Sequence, residues 1–162
     1  MAKGLEHCHD NLIAHLDIKP ANILITSMGQ CKLADFGCSQ NLNTEDEQKP
    51  VECDTVGTPG YQAPEMFKLK VVQLKCDIFS LGILMWQLLA KEIDTFPGAH
   101  PHTIIFKMVS KDCRPIKGTD KTWKTYESLY KACWDKVKKF RTYALSMSVR
   151  TSLCTLLRIH CT

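Results

Sequence analysis

Apolar and polar positions along the chain alternate first as short strands and then as helices. Ile23-Leu24-Ile25 is an apolar, β-branched-rich run, and Cys31-Lys32-Leu33 sets apolar residues on either side of a lysine. Between them Ser27-Met28-Gly29-Gln30 supplies a Gly-bearing turn, so the pattern predicts a hairpin. Upstream, Met1 to His9 carries Leu5 and Cys8 on one edge and reads as a helix end. Asp10-Asn11 make a turn, and Leu12-Ile13-Ala14 follow as a short strand. Lys75 to Ala90, KCDIFSLGILMWQLLA, is the most apolar segment. Ile78, Phe79, Leu81, Ile83, Leu84, Trp86, Leu88 and Leu89 leave it almost no polar face, and a helix apolar all round is buried. Each such side chain contributes about 1.5–3 kcal/mol, so this helix is expected to be the core mast. Pro97-Gly98 and Pro101 break the chain, and His102 to Val109 reads as a short amphipathic helix. Tyr126, Leu129, Tyr130 and Cys133 recur at helical spacing. Leu145, Val149, Leu153, Leu156 and Leu157 line one face of a final helix that serine and threonine density weakens. By contrast, Ser39 to Thr55 is polar, includes Glu45-Asp46-Glu47, buries little and is expected to be a mobile loop.

Composition narrows the class. A chain of 162 residues with 44% hydrophobic residues suffices for one domain with a sizeable core. It contains no apolar run of membrane-spanning length, and its start lacks the basic-then-apolar order of a signal peptide. Nine cysteines, with no C-x-x-C pair, read as reduced thiols of the cytosol or nucleus rather than disulfides or a zinc site. His100 and His102 flank a proline without a carboxylate or cysteine at ligand spacing, which argues against a metal there. The net charge of +4 is modest, and the basic residues lack interleaved aromatics, which argues against nucleic acid as the partner.

The chemistry concentrates in His15 to Gly37, HLDIKPANILITSMGQCKLADFG. A hairpin through its middle returns the residue after the second strand to the loop before the first. Asp17, Lys19 and Asn22 then lie beside Asp35. Two carboxylates, an amide and an ammonium at one edge suit a magnesium-phosphate ligand. Magnesium takes a few hard oxygens together with the phosphates themselves, which Asn22 and Asp35 can supply. Transfer of a phosphoryl group rests on positioning and electrostatic stabilisation. Asp17 can align an attacking hydroxyl and accept its proton, and Lys19 can reach the transferring phosphate as a point charge. Any one of these alone reads more simply as a solvated loop residue. Together, at D-x-K-x-x-N spacing and followed by D-F-G, they are a strong signal.

The pattern resembles the catalytic and magnesium loops of eukaryotic protein kinases, H-R-D-L-x-x-x-N and D-F-G. The resemblance implies ATP and Mg2+ as cofactors, Asp17 as catalytic base, Asn22 and Asp35 as metal ligands, and Lys19 as the phosphate contact of the serine/threonine branch. It makes His15 a structural residue that fixes the loop and D-F-G backbones, with Phe36 and Gly37 structural as well. Leu16 departs from the pattern: the usual arginine, which pairs with a phosphorylated activation loop, is replaced. That puts this route of control in doubt. The combination of HLDIKPANIL and DFGCS looks most like the Mos family of serine/threonine kinases.

Further matches follow downstream. Gly57 to Glu65, GTPGYQAPE, is similar to the kinase run G-T-x-x-Y-x-A-P-E, so Thr58, Gly60 and Tyr61 are expected to form the substrate floor. Thr58 is expected to bond Asp17 and Lys19, a mark of serine or threonine acceptors. Thr44, Thr55 and Thr58 are the hydroxyls in the activation-segment position. Asp77 needs donors if buried, either backbone N–H groups of the catalytic loop, as the resemblance implies, or its own helix N-terminus. Cys133-Trp134 with Arg141 resembles the motif whose arginine pairs with the A-P-E glutamate, here Glu65.

The resemblance covers about residues 4 to 141, and no G-x-G-x-x-G or V-A-I-K precedes it. The expected fold class is therefore mainly α with short β hairpins, a protein-kinase-like C-terminal lobe without its N-terminal lobe. Residues 1–141 form that lobe, and 142–162 are a divergent basic tail. The first functional reading is a cytoplasmic serine/threonine kinase whose protein substrate, by the Mos resemblance, is a MAP kinase kinase, and whose isolated chain turns over little. A non-catalytic kinase-like binding module or decoy is the alternative.

Overall fold

The computed structural model describes residues 1–44, 49–50, 56–91, 95–115, 121–136 and 141, with the backbone alone at 121–125. In chain order, helix α1 (Ala2–Asp10) leads into β1 (Ile13–Ala14). A single 3-10 turn (Pro20–Asn22) precedes β2 (Ile23–Ile25) and β3 (Cys31–Leu33), and β4 (Gln40–Asn41) and β5 (Lys49–Pro50) follow. Then come α2 (Pro64–Lys68), β6 (Val71–Val72), α3 (Leu74–Ala90), α4 (Pro101–Ser110) and α5 (Lys121–Cys133).

The helix expected over 75–90 forms over 74–90, and every residue from Cys76 to Gln87 is buried. It ends where Lys91 adopts a left-handed conformation, a common way to stop a helix. Around it pack Leu5, Ile18, Leu42, Met66, Ile104, Met108 and Tyr130, all buried. α5 lies against α3, and the contact is close because Gly82 has no side chain. A β-carbon there would sit 2.7 Å from Cys133 Cβ and 3.0 Å from the Tyr130 carbonyl.

β2 and β3 pair antiparallel as the predicted hairpin, with Ile23 opposite Leu33 and Ile25 opposite Cys31. The Thr26 N–H donates to Gln30 O across the turn. Among the described residues this is the one hairpin. The other two pairs, β1 with β4 and β5 with β6, join strands distant in sequence. The mainly α fold with short β pairs is thus as expected, but of the expected hairpins only β2–β3 is one among the described residues. The expectation of a mobile loop over 39–55 also changes at its described parts. Gln40–Asn41 pairs with β1, the Leu42 N–H donates to Leu12 O, and Leu42 is 1% exposed. A single leucine in polar surroundings was enough to anchor that end. The acidic run 45–47, Thr55 and the tail 142–162 lie outside the described residues.

Glu65 on α2 meets Arg141, and both are buried. The guanidinium reaches Glu65 with both arms, one at 3.3 Å and the other closer. Its Nε donates to Asp135 O at 2.7 Å, and its Cζ stands 5.0 Å from the centroid of the Phe79 ring. The pairing expected from the sequence is thus present.

Two stability measurements follow. Arg141→Met strands a buried carboxylate and is expected to cost about 3–5 kcal/mol in urea unfolding. Gly82→Ala is expected to destabilise by about 1–3 kcal/mol through overpacking, although alanine favours the helix by up to about 1 kcal/mol. A stabilised Gly82→Ala variant would show that α5 yields freely.

Candidate functional site

The loop between β1 and β2 is held from beneath by one carboxylate. Asp77, in the first turn of α3, is 0% exposed. Its Oδ1 accepts from the Leu16 N–H at 2.7 Å and its Oδ2 from the His15 N–H at 2.8 Å. The His9 ring, from the end of α1, completes the set at 2.9 Å. Of the two sources of donors open from the sequence, the loop backbone is the one observed. Leu16 is buried with φ 65, a left-handed backbone that is uncommon outside glycine. His15 presents its ring to the Ala34 carbonyl at 3.0 Å and stacks edge-on against Phe36, ring centroids 4.8 Å apart. It therefore ties the loop to the segment that contains Asp35.

On this support Asp17, Lys19, Asn22 and Thr58 converge. Lys19 Nζ lies 2.8 Å from Asp17 Oδ2 and donates to Thr58 Oγ1 at 2.7 Å. Thr58 Oγ donates in turn to Asp17 Oδ1 at 2.6 Å. Asn22 Nδ2 donates to Asp17 Oδ2 and to Asp17 O, each at 2.9 Å. Gly57 permits the approach of the Thr58 segment. Its φ is +87, and a β-carbon there would sit 2.6 Å from Leu16 O.

Asp35 is brought to the same edge by the backbone, since the Ala34 N–H donates to Asn22 O at 2.9 Å. It adopts φ 59 and is exposed, with Oδ1 accepting from the Gly37 N–H at 3.2 Å. Among the described residues no direct bond joins its side chain to Asp17, Lys19 or Asn22. Leu24 and Phe36, exposed by 57% and 45%, present apolar surface. Leu24, on β2, lies two residues after Asn22, and Phe36 follows Asp35.

The floor residues sit on α3. Ser80 Oγ donates to Tyr61 O at 2.7 Å, the Tyr61 hydroxyl donates to Gln87 Oε1, and Gly60 abuts the Thr95 hydroxyl. The sequence reading did not single out His9, Ser80, Gln87 or Thr95. For Ser80 and Gln87 a signal existed, as polar residues inside an otherwise apolar helix. For His9 none did, because its partner is 68 positions away.

Electrostatics at Asp17 oppose one another. Burial pushes its carboxyl up, but the hydrogen bond and charge of Lys19, the Thr58 hydroxyl and the Asn22 amide together outweigh burial. The carboxyl is held below its ordinary value, and Asp17 is ionised at neutral pH. A group lowered in this way contributes stability above its unfolded pKa and loses it as pH falls through the folded one. The described residues include no group of three or more His, Cys, Asp or Glu placed to hold a metal ion, and no helix among them is long and apolar enough to cross a membrane.

Comparison with known proteins matches residues 1–158 to the protein kinase domain. The chain is 37% identical over 136 residues to the serine/threonine-protein kinase mos of Patiria pectinifera, covering 82% of this chain and 38% of that protein. It is 34% identical over 140 residues to the proto-oncogene serine/threonine-protein kinase mos of Mus musculus, covering 83% and 40%. The Rattus norvegicus counterpart is 35% identical over 139 residues, covering 83% and 40%. The chain thus spans about two-fifths of the length of the curated relatives it matches.

Lys19→Met is expected to raise the Asp17 pKa and to move the acid limb of the stability curve to higher pH. Carboxyl 13C NMR titration reads the first and unfolding at pH 3–5 the second. An unshifted Asp17 titration would remove Lys19 as the main stabilising partner.

Proposed function

The chain belongs to the protein kinase family, and on that premise we propose that its site transfers the γ-phosphoryl group of ATP to serine or threonine of a protein. The observation that carries this reading is the closed triangle of Asp17, Lys19 and Thr58, in which every side is a hydrogen bond or ion pair. It fixes an ionised carboxylate and an ammonium at the edge of the floor. An acceptor hydroxyl entering over Thr58 meets the Asp17 carboxylate, which aligns it and takes its proton. Lys19 turns its ammonium toward the phosphate oxygens, where charge develops.

The residues fit magnesium and nucleotide. Asn22 spends its Nδ2 on Asp17, which leaves its oxygen end for a hard cation. Asp35 is exposed and presents a carboxylate at the same edge. Magnesium is bound by one or two protein oxygens together with phosphates and water rather than by a full protein cage, in keeping with this sparse donor set. When bound, it neutralises phosphate charge. The exposed Leu24 offers an apolar side chain for a purine to cover.

In this reading His15, Phe36, Gly37, Glu65, Asp77 and Arg141 are supports, and Gly60 and Tyr61 with Thr58 are the acceptor floor. Residues 1–141 act as the C-terminal lobe, bounded by the Glu65–Arg141 pair, while the family match runs on to residue 158. The 162 residues contain no G-x-G-x-x-G, so we assign them little turnover when assayed alone. A cytoplasmic setting is supported by the cysteine pattern of the sequence, nine residues with no C-x-x-C pair. A MAP kinase kinase as substrate is supported by likeness to the mos kinases alone.

The test is to complete the chain with an amino-terminal kinase lobe and measure phosphorylation of serine, threonine and tyrosine peptides with Mg·ATP. Transfer to serine and threonine is expected. Asp17→Ala is expected to lower turnover by about 10²–10⁴-fold, the usual contribution of a positioned base. Undiminished turnover in Asp17→Ala would reject the assignment. A completed chain that binds peptide but transfers nothing would favour the docking module.

A further inference from the structure

α4 meets the floor at its first turn. Gly60 has φ +94, and a β-carbon there would sit 3.9 Å from Ile104 Cγ2 and 2.6 Å from Thr95 Oγ1. Ile104 and Thr95 are buried, and α4 also packs on α2. The other end of α4 leads into Arg114. The Cys113 N–H donates back to Lys107 O at 3.0 Å, and the Arg114 side chain then crosses to α3. Its Cζ stands 5.1 Å from the Phe79 ring centroid, and Arg141 Cζ stands 5.0 Å from the same centroid. Arg114 Nη2 lies 3.0 Å from Asp112 Oδ1 and donates at 3.4 Å to Trp134 O, just past the end of α5. One buried ring thus carries two guanidiniums. Arg141 holds α2 through Glu65, and Arg114 holds the segment that follows α4.

Stability alone does not account for this arrangement. The Arg114 side chain is 15% exposed, against 43% for Asp112. Burial, with the like charge of Arg141, pulls the guanidinium below its ordinary pKa, and Asp112 only partly offsets them. Arginine stays charged all the same, and apolar side chains of similar volume often serve stability as well as a buried ion pair. What an apolar side chain does not supply is direction. Ring, carboxylate and carbonyl all meet one flat group.

We propose that Arg114 is a positioning residue for the acceptor floor, its guanidinium pinning α4 to Phe79 so that Ile104 stays against Gly60. The proposal rests on the reading of Thr58, Gly60 and Tyr61 as that floor. Its test involves no phosphoryl transfer, so it can fail while the proposed chemistry stands.

The experiment follows amide hydrogen exchange of the 162-residue chain by 15N NMR. The reporter is the Tyr61 N–H, which donates to Thr58 O at 3.1 Å. The controls are the His15 and Leu16 N–H groups, held by Asp77. Arg114→Met is expected to speed exchange at Tyr61 at least about ten-fold, as a local opening that leaves the controls unchanged. The urea midpoint is expected to hold, because methionine fills the space and the carboxylate left behind is exposed. Arg114→Lys keeps the charge without the flat fork and is expected to recover less than about half of the protection. Asp112→Ala removes the exposed partner and keeps the test open should Arg114→Met fail to fold. It is expected to speed Tyr61 at least about three-fold. An unchanged Tyr61 rate in these variants overturns the proposal, as does equal acceleration at His15 and Leu16. Full recovery in Arg114→Lys overturns the assignment to the guanidinium.

Discussion

A carboxylate with no exposure to water holds the site in shape. Asp77 sits inside the most apolar helix of the chain, where an unpaired charge would be costly. Its two oxygens are met by the consecutive N–H groups of His15 and Leu16 and by the His9 ring. Aiming two successive backbone donors at one carboxylate constrains the peptide between them. Leu16 accordingly holds φ 65, a conformation that costs a non-glycine residue about 1–3 kcal/mol and persists only where the surroundings over-determine it. Asp17 is the next residue. Its direction toward Lys19 and Thr58 follows from that anchored backbone.

The same helix supports the other half of the site. Asp77, Ser80 and Gln87 are three and seven positions apart, so at 3.6 residues per turn they fall on one side of α3. Each is buried, and each bonds a group of the site: the loop backbone, the Tyr61 carbonyl and the Tyr61 hydroxyl. The polar stripe of α3 thus faces the loop before Asp17 and Tyr61 instead of solvent. A single rigid element thereby holds loop and floor in register, which is what positioning demands when reacting atoms must be held closely.

How much of this could be read in advance depended on the range of the interaction. The β2–β3 hairpin and α3 were legible because their signals are local: a Gly-bearing turn between apolar runs, and an apolar run of helical length. The closeness of Asp17, Lys19 and Asn22 followed from spacing, and the contacts of Thr58 and Arg141 followed from family resemblance, which carries long-range information that periodicity does not. What stayed hidden has no local signature. β4 and β5 are two residues each and exist only because β1 and β6 offer edges. Leu42 lies in a polar stretch that by itself predicts little burial. The partnership of His9 with Asp77 joins the end of one helix to the start of another. Exposure of Leu24 and Phe36 was likewise invisible, since an apolar residue in a strand pattern is ordinarily taken as core.

The state of Asp17 bears on how such a site would work. Lys19, Thr58 and Asn22 stabilise its ionised form, and a carboxylate held below its ordinary range is a weak acceptor of protons. A mechanism that required early removal of the acceptor proton would be poorly served by this arrangement. Phosphoryl transfer through a loose transition state makes a smaller demand, because the attacking oxygen bears little bonding to phosphorus when the leaving bond is already stretched. The hydroxyl then needs alignment first and deprotonation late. In the proposed function an ionised carboxylate fixed by three partners would supply that alignment, and the proton would become acidic enough to move only as the new bond forms. Under the proposed function, the contacts that weaken Asp17 as a base are those that would make it a guide for the incoming hydroxyl.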